Sequence, residues 1–300
     1  MYSSNIASKL LRWYRRNGRD LPWRHTRDPY KILVSEIMLQ QTQVSRVVDF
    51  YDNWLMLFPN WKTLADASNA EVIRAWSGLG YNRRALILRD IAREVVQNGV
   101  PKNREGWMKL KGIGPYTAAA VSVFSARERT FPIDTNTRRV VGRIFLKQLF
   151  PDPSRDNEVH AIATKELMRS SKFDDVIQAL FDLAGAHCTK TPTCDTCPLR
   201  DLCQSSATFI AGDVQAPKRM IKKANEKLHR TKPFPDRIYR GRILKAVQKS
   251  DVVPLKNLGQ IIDPSFDPAL DGAWLTAMVK RLEKDGMVST NNNHVTLCSK

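Results

Sequence analysis

Four cysteines within 16 residues constrain this chain more than any other feature of its sequence. Their spacing is Cys188-x5-Cys194-x2-Cys197-x5-Cys203, and thiols clustered in this way are typical of a metal site. Disulfides are disfavoured, because the N-terminus lacks the apolar core of a signal peptide. Structural zinc usually pairs two Cys-x2-Cys hairpins, whereas one such centre with wide flanks suits a cubane cluster. The loop over 188–203 therefore predicts a [4Fe–4S] cluster, with zinc as the alternative.

The charge of the chain indicates an acidic partner. Lys and Arg number 48 against 30 Asp and Glu, which gives a net charge of +18 and a pI of about 9.9. No stretch approaches the roughly 18 uninterrupted apolar residues that a bilayer span needs. Membrane insertion and secretion are therefore disfavoured, and nucleic acid is the expected partner.

Helical periodicity runs through the first two thirds of the chain. Apolar residues recur three or four positions apart, with breaks such as Phe58-Pro59-Asn60 between the segments. The pattern predicts an all-α core with helices over 5–17, 29–40, 43–57, 70–76, 82–98, 115–125, 135–148, 156–170 and 174–187. At 300 residues and 42% hydrophobic content, the chain can form two compact units.

The remainder divides into a basic linker over 211–236 and a small C-terminal unit over 237–300. Ten Lys and Arg between Val214 and Arg242 face only Glu226 and Asp236, which is typical of a solvated linker or of an arm that contacts phosphate. The C-terminal unit has the order of a winged helix, with a small helical cap that binds no DNA as the alternative. Helices are predicted over Tyr239–Lys249, Leu255–Ile262 and Trp274–Asp285, followed by a β-hairpin turning at Asn291-Asn292-Asn293.

The segment LKGIGPYT, from Leu110 to Thr117, predicts a helix-hairpin-helix motif. Gly112 and Gly114 allow a tight turn, and Pro115 suits the first position of the next helix. Backbone N–H groups there, with Lys111 beside them, would face a DNA phosphate. An ordinary helix–helix turn is the alternative.

Glu36 is the only carboxylate between Asp28 and Asp49, and its helix is otherwise apolar. Apolar surroundings raise the pKa of a carboxyl group, as a general acid near neutral pH requires, although a lone helical Glu is usually exposed. Asp134 precedes an amphipathic helix, where an N-cap is the structural interpretation.

The hairpin (LKGIGPYTAAAV), FPIDTN and the four-cysteine loop resemble the endonuclease III superfamily of helix-hairpin-helix DNA glycosylases. Within it, LPWR, DPYKILVSEIMLQQTQV and GLGY are similar to the adenine-excising MutY-type branch. The resemblance covers about residues 10–204, and everything from 211 onward lies outside it. It implies a two-lobed helical fold, a cluster bound by the four cysteines, and duplex DNA with a mismatched or damaged base as partner. We expect a monomer in the cytoplasm, associated with the nucleoid in a prokaryote.

The resemblance also implies catalytic roles. Glu36 would protonate a ring nitrogen of the extruded purine, and Asp134, with Asn136 beside it, would stabilise positive charge on the sugar. Bifunctional relatives carry lysine where this chain has Tyr116, and a phenol cannot form a Schiff base. The enzyme is therefore expected to be monofunctional, with Tyr116 in a supporting role or packed as an ordinary aromatic residue.

Further residues match DNA-contacting and pocket positions of that branch. Gln40, Gln41, Leu79 and Tyr81 would probe the duplex, although Leu79 also suits plain core packing. Arg19 and Trp23 would line the base pocket. Asp182 stands where the adenine enzymes usually have Glu and would make a shorter purine contact.

Four departures from the family affect the functional hypothesis. The first cysteine gap is x5 rather than the common x6, and Asp182 replaces the usual Glu. Asn82-Arg83-Arg84 replaces the usual Tyr-x-Arg after Tyr81. The Nudix-like domain that reads 8-oxoguanine is replaced by the basic linker and winged helix. The leading interpretation is excision of adenine paired with guanine or 8-oxoguanine. The alternatives are a thymine or uracil glycosylase acting on T:G or U:G, which would not normally keep Glu36, and a non-catalytic DNA-binding regulator.

Overall fold

The computed structural model describes residues 2–212, 214–217 and 228–299. These residues form fifteen α-helices and three short strands, so the predicted all-α core is confirmed. The helices are α1 Tyr2–Asn17, α2 Pro29–Leu39, α3 Val44–Leu57, α4 Trp61–Asp66, α5 Asn69–Ala75, α6 Arg83–Asn98, α7 Arg104–Met108, α8 Pro115–Ala126, α9 Thr135–Phe145, α10 Asp156–Glu166, α11 Phe173–Ala186, α12 Ser206–Ile210, α13 Asp236–Ser250, α14 Leu255–Ile262 and α15 Pro268–Lys284. The strands are β1 Val252–Pro254, β2 Val288–Asn291 and β3 His294–Leu297. Across the described ranges, none of the helices has the length and apolar character needed to cross a bilayer.

Backbone contacts divide the chain into two units, each made of two separate segments. The first unit contains Met1–Glu36 and Pro101–Arg219, and the second contains Ile37–Val100 and Met220–Lys300. This division differs from the expected domains, because residues 37–100 group with the C-terminal segment. Part of the predicted basic linker, residue 213 and residues 218–227, lies outside the described residues.

The core of the first unit is built from α1 and α8–α11. Ile6, Leu10, Val140, Val176 and Leu180 are all fully buried in one cluster. Burial of each such side chain contributes on the order of 1.5–3 kcal/mol. The cluster fixes the beginnings of α8 and α9, where three of the predicted catalytic residues lie.

The second unit begins with the helices α3–α6. Trp54 and Trp76 pack edge to face with their ring centroids 5.2 Å apart, and α4 packs along α6. The short helices α4 and α5 begin with capping boxes at Asn60 and Ser68. This packing places the Gly78–Tyr81 turn between α5 and α6.

The C-terminal part of the second unit combines three helices with an antiparallel sheet of order β1-β3-β2. The predicted β2–β3 hairpin is confirmed: Asn292 and Asn293 form its turn with φ of 46° and 58°. Strand β1, which pairs Val253 with Val295, has no counterpart in the sequence prediction.

Side chains connect this C-terminal part to α5 and α6 within the second unit. Gln248 on α13 donates to the carbonyl of Ile73 at 3.1 Å and accepts from the Ser77 hydroxyl at 2.8 Å. Buried Asn69 donates to the carbonyl of Gly286 at 2.6 Å and accepts from Arg89.

Five predicted helix boundaries are wrong by three residues or more. Helices α1 and α13 begin at Tyr2 and Asp236, three residues before their predicted starts. Helix α9 ends at Phe145 rather than 148, because the chain turns at Lys147 with a φ of +52°, and α10 ends at Glu166 rather than 170. Helix α15 begins at Pro268 rather than Trp274, because Asp267 caps it and proline suits its first position.

Candidate active site and DNA-contacting segments

Glu36 lies on α2, a helix that is apolar on all sides and is therefore buried. The residue is only 8% exposed, and its carboxyl pKa is raised from 4.5 to about 7, chiefly by burial. A hydrogen bond from Tyr116 lowers this pKa, and the nearby charge of Asp134 raises it; both effects are included in the value of about 7. The group can therefore hold and release a proton near neutral pH.

Tyr116 occupies the second position of α8, and its hydroxyl donates to Glu36. Burial, with the charges of Glu36 and Asp134, raises its pKa well above 10.0, so the phenol stays protonated as a hydrogen-bond donor. Its ring packs edge to face with Phe181 at 6.4 Å. The structure thus brings Tyr116 and Glu36 into direct contact.

Asp134 is the N-cap of α9. Its Oδ1 accepts from the backbone N–H groups of Asn136 and Thr137 at 2.9 and 2.7 Å. Its Oδ2 accepts from the Asn136 side-chain N–H at 2.8 Å, and the Asn136 side-chain oxygen (Oδ1) in turn accepts from Arg139. The capping interpretation is confirmed, and the cap fixes the carboxylate in the neighbourhood of Glu36 and Tyr116.

Asp182 lies on α11 and is buried in an ion pair with Arg24. Its two oxygens accept from both Arg24 Nη atoms at 2.8 and 2.9 Å, and from the backbone N–H and Nε of Arg19 at 2.9 and 2.6 Å. Burial opposes ionisation, but these bonds hold the pKa of Asp182 below its usual range. All four acceptor positions of the carboxylate are filled, which does not support the predicted purine contact.

The other two predicted pocket residues, Arg19 and Trp23, lie in the segment between α1 and α2. The Arg19 side chain is 45% exposed, and the residue reaches Asp182 through backbone and side chain. Trp23 is buried and lines a cleft with Phe124 and Asp174.

The predicted hairpin connects α7 to α8, as the helix-hairpin-helix pattern requires. Gly112 has a φ of +96°, which residues with a side chain rarely adopt, and Gly114 is the N-cap before Pro115. Lys111, Gly112 and Gly114 are all exposed. The turn is therefore open to an external group.

The four residues predicted to probe DNA lie on two turns of the second unit. Gln40 and Gln41 are exposed, and Gln41 has a φ of 56°. Tyr81 is 60% exposed with a φ of 48°, whereas Leu79 is only 6% exposed. Leu79 thus has the burial that plain core packing requires.

The four clustered cysteines line one cavity below α9 and α11. Buried Arg143 lies beside them: it donates to the Cys188 sulfur at 3.5 Å and to the carbonyls of Thr189 and Lys190. The Arg139 Nε donates to the Cys188 carbonyl at 2.6 Å. The two arginines therefore fix the beginning of the cysteine loop.

Three arginines with structural importance had no role in the sequence prediction: Arg24, Arg84 and Arg143. Arg24 lies within the quoted LPWR segment, and Arg84 follows GLGY. Their partners lie up to 158 residues away in sequence, so no local pattern identifies them.

Comparison with known proteins places residues 34–165 in the HhH-GPD superfamily of base excision DNA repair proteins. The chain is 35% identical over 282 residues to the adenine DNA glycosylase of Mycobacterium tuberculosis, which covers 91% of this chain and 85% of that protein. The adenine DNA glycosylase of Mus musculus is 35% identical over 226 residues, covering 70% and 44%. A match to 91% of the chain must extend beyond residue 211, so the expectation that the resemblance stops before 211 is wrong.

Two solved structures have the same fold. A thermostable thymine-DNA glycosylase superposes with a TM-score of 0.64 and 28% identity, covering 69% of this chain and 97% of its own. Endonuclease III in a trapped covalent complex with DNA superposes with a TM-score of 0.58 and 18% identity, covering 69% and 98%. The chain therefore belongs to the adenine DNA glycosylases of the HhH-GPD superfamily.

Proposed function

We propose that the protein is a monofunctional DNA glycosylase of base excision repair that removes adenine paired with guanine or 8-oxoguanine. One observation carries the proposal: a buried glutamic acid, Glu36, has a pKa of about 7, a phenol donor and a nearby carboxylate. The adenine DNA glycosylases among its relatives support the choice of base.

The two carboxyl groups divide the reaction between them. Glu36 donates a proton to a ring nitrogen of the extruded adenine, and the C1′–N9 bond breaks with its electron pair leaving on the base. Asp134 stabilises the positive charge left on the sugar. Water then attacks C1′ and gives its proton to Glu36, which restores the acid and leaves an abasic site.

Tyr116 and Asn136 hold these groups in place. The Tyr116 hydroxyl donates to Glu36, and the Asn136 amide donates to Asp134. A phenol cannot form a Schiff base with the sugar, so strand cleavage by that route is not part of the proposed reaction.

Exposed turns in each unit are candidates to contact duplex DNA. In the first unit, the exposed hairpin at Lys111–Gly114 can direct backbone N–H groups to a phosphate. In the second unit, Gln41 and Tyr81 are exposed on turns and can fill the space left by an extruded base. Arg19 and Trp23 remain candidates for the base pocket.

The four cysteines fit a [4Fe–4S] cluster. Four sulfurs bound to one zinc ion lie about 4 Å apart, whereas a cubane spaces its thiolates more widely. In the part of the chain that is described, no three His, Cys, Asp or Glu side chains converge on a single-ion site, and the four cysteines surround a cavity instead. The bound cluster would cross-link residues 188–203 and take no part in breaking the glycosidic bond. Iron and acid-labile sulfide in the purified protein would support it, and zinc without iron would contradict it.

The C-terminal segment supports our expectation of a winged-helix-like domain over 237–300, after the linker over 211–236 and the glycosylase domain over 1–210. Helices α13–α15 are followed by the β2–β3 hairpin, which is the order of that fold. Because the substrate is chromosomal DNA, we place the enzyme in the cytoplasm, on the nucleoid in a prokaryote, as a monomer.

The test incubates the purified protein with duplexes that carry A:8-oxoG, A:G, T:G or U:G and identifies the released base. We expect adenine from the first two duplexes. Glu36→Gln should lower the single-turnover rate by at least about 100-fold, because an amide cannot supply the proton. Glu94→Gln, the same change on α6, should leave the rate unchanged. Undiminished adenine release by Glu36→Gln would contradict the assigned acid.

A mismatch glycosylase for thymine or uracil is the second candidate, favoured by the superposition on a thymine-DNA glycosylase. Release of thymine or uracil without adenine would establish it in place of the first. Binding of mismatched duplexes without release of any base would instead indicate the non-catalytic regulator.

A further inference from the structure

Arg84, near the beginning of α6, is a buried arginine at the junction of two turns. It is only 8% exposed. Its Nη1 donates to the carbonyls of Ile37 at 2.9 Å, Met38 at 3.0 Å and Gln40. Its Nη2 donates to the Thr42 hydroxyl at 3.2 Å and to the carbonyls of Gly80 at 3.0 Å and Leu79 at 3.4 Å. One guanidinium thus connects the end of α2 to the turn before α6.

Both turns contain a residue in a costly backbone conformation. Gln41 has a φ of 56° and Tyr81 a φ of 48°, in the left-handed region that non-glycine residues rarely adopt. Such conformations persist only where surrounding contacts hold them. Arg84 bonds to the residues on either side of Gln41, which are Gln40 and Thr42. It also bonds to the carbonyls of Leu79 and Gly80, the two residues before Tyr81.

Aromatic rings fix the guanidinium between these turns. Its central carbon lies 5.3 Å from the Trp76 ring and 5.5 Å from the Tyr81 ring. The Trp76 indole N–H donates to the same Gly80 carbonyl at 3.1 Å. All six acceptors of Arg84 are neutral oxygens, so the site requires a planar fork of donors and not merely a positive charge.

We propose that Arg84 is a positioning residue that couples the Gln40–Thr42 turn and the Leu79–Tyr81 turn into one rigid wedge for opening the duplex. The inference rests on the proposed function, because it takes Gln41 and Tyr81 as the residues that enter the DNA. Loss of the guanidinium frees each turn separately. Extrusion of the base then falls, while binding of intact duplex through the hairpin is retained.

The experiment compares Arg84→Lys with Arg83→Met. Lysine keeps the charge but loses the fork, whereas Arg83 is an exposed neighbour whose nearest carboxylate, on Asp285, is 3.8 Å away. Extrusion is measured from the fluorescence of 2-aminopurine placed in the duplex opposite 8-oxoguanine. We expect Arg84→Lys to lower extrusion and single-turnover base release by about 10- to 100-fold, with the affinity for intact duplex unchanged. Arg83→Met should behave as wild type in both measurements.

Two further measurements separate positioning from folding. Thr42→Val removes one acceptor of Arg84 without altering its fork, and we expect a smaller loss of extrusion in the same direction. Addition of guanidinium ion at low concentration to Arg84→Ala should restore part of the extrusion signal, which a general loss of stability would not allow.

Equal extrusion by Arg84→Lys and Arg83→Met would overturn the inference, as would a fall in intact-duplex affinity that matches the fall in extrusion. Extrusion requires no bond cleavage, so the outcome is independent of catalysis. If the wild-type protein extrudes 2-aminopurine but releases no base, the proposed function fails. The extrusion measurements on the Arg84 variants still test the positioning role in that case.

Discussion

At position 36 the fold buries a carboxyl group where an apolar side chain would be more stable. The residues from Ile32 to Met38 are all buried, and Tyr116 compensates Glu36 with a hydrogen bond. Ionising the group inside this helix packing costs free energy, which is why its pKa rises. The same cost makes the proton available to a substrate near neutral pH.

The pH dependence of Glu36 should therefore appear in both rate and stability. Adenine release should fall as the pH rises through about 7, because only protonated Glu36 donates. The folded pKa lies above the unfolded value, so the free energy of unfolding should decline between pH 4.5 and about 7 and stay low above it. Glu36→Gln lacks this decline and should be more stable at pH 8 by up to roughly 3 kcal/mol. Urea unfolding of both proteins at pH 5 and pH 8 measures the difference, and an equal change in both would contradict the assignment.

The sequence identified Glu36 and Asp134 because their signals are local: an isolated carboxylate in an apolar helix, and an aspartate before an amphipathic one. It could not identify the contact between Tyr116 and Glu36, because 80 residues separate them. The ion pair of Asp182 with Arg24 depends on the packing of distant segments in the same way. That ion pair is also why the predicted purine contact lacks support.

Among the elements, the hairpin between α7 and α8 depends most on a single backbone conformation. Gly112 adopts a φ of +96°, and the Ile113 N–H closes the turn on the Leu110 carbonyl at 3.2 Å. A side chain at 112 would push the backbone toward negative φ and rotate the neighbouring N–H groups away from a phosphate.

Gly112→Ala should therefore weaken binding to matched and mismatched duplexes alike. We expect a loss of about 10-fold in affinity, with thermal unfolding lowered by only a few degrees, because the turn is exposed. Gly185→Ala on α11 is the control, since no atom lies within 4 Å of the added Cβ and the backbone there is helical. Fluorescence anisotropy with labelled duplexes measures the affinities. A loss of affinity confined to mismatched duplex would show that the hairpin recognises the lesion and not the phosphate backbone of the DNA.

The long helices were predictable because their apolar period persists over three or more turns. Helices α4 and α12, of six and five residues, are too short to show that period and were missed. Strand β1 was missed for a related reason: three residues carry no alternation, and its pairing partner β3 lies more than 40 residues away.

At the scale of the whole molecule, the C-terminal segment is an integral part of the second unit. Arg89, Asn69 and the Gly286 carbonyl form a buried chain of hydrogen bonds, and Gln248 contacts the last turn of α5. The basic C-terminal segment is therefore bonded to α5 and α6, the helices on either side of the Leu79–Tyr81 turn of the proposed wedge. Removing the segment would leave Asn69, the Ile73 carbonyl and the Ser77 hydroxyl without these hydrogen bonds.

A point substitution tests this connection more cleanly than a truncation. Gly286 has a φ of +70°, and an added Cβ would lie 3.2 Å from the Asn69 amide nitrogen. We expect Gly286→Ala to lower the free energy of unfolding by roughly 1–3 kcal/mol. Gly272→Ala, on α15 with open space around the added Cβ, should be neutral or slightly stabilising. Chemical denaturation of both variants gives the values, and equal stability would show that the contact contributes nothing.

The division into two discontinuous units determines the order in which the protein can be completed during synthesis. The ribosome supplies residues 1–36 of the first unit, then 37–100 of the second, and returns to the first only at residue 101. Helix α1 packs on α11, so the earliest segment waits for a partner made more than 150 residues later. Closing such long loops is slow and leaves apolar faces exposed in the meantime. A chain released before residue 219 therefore contains neither unit in full.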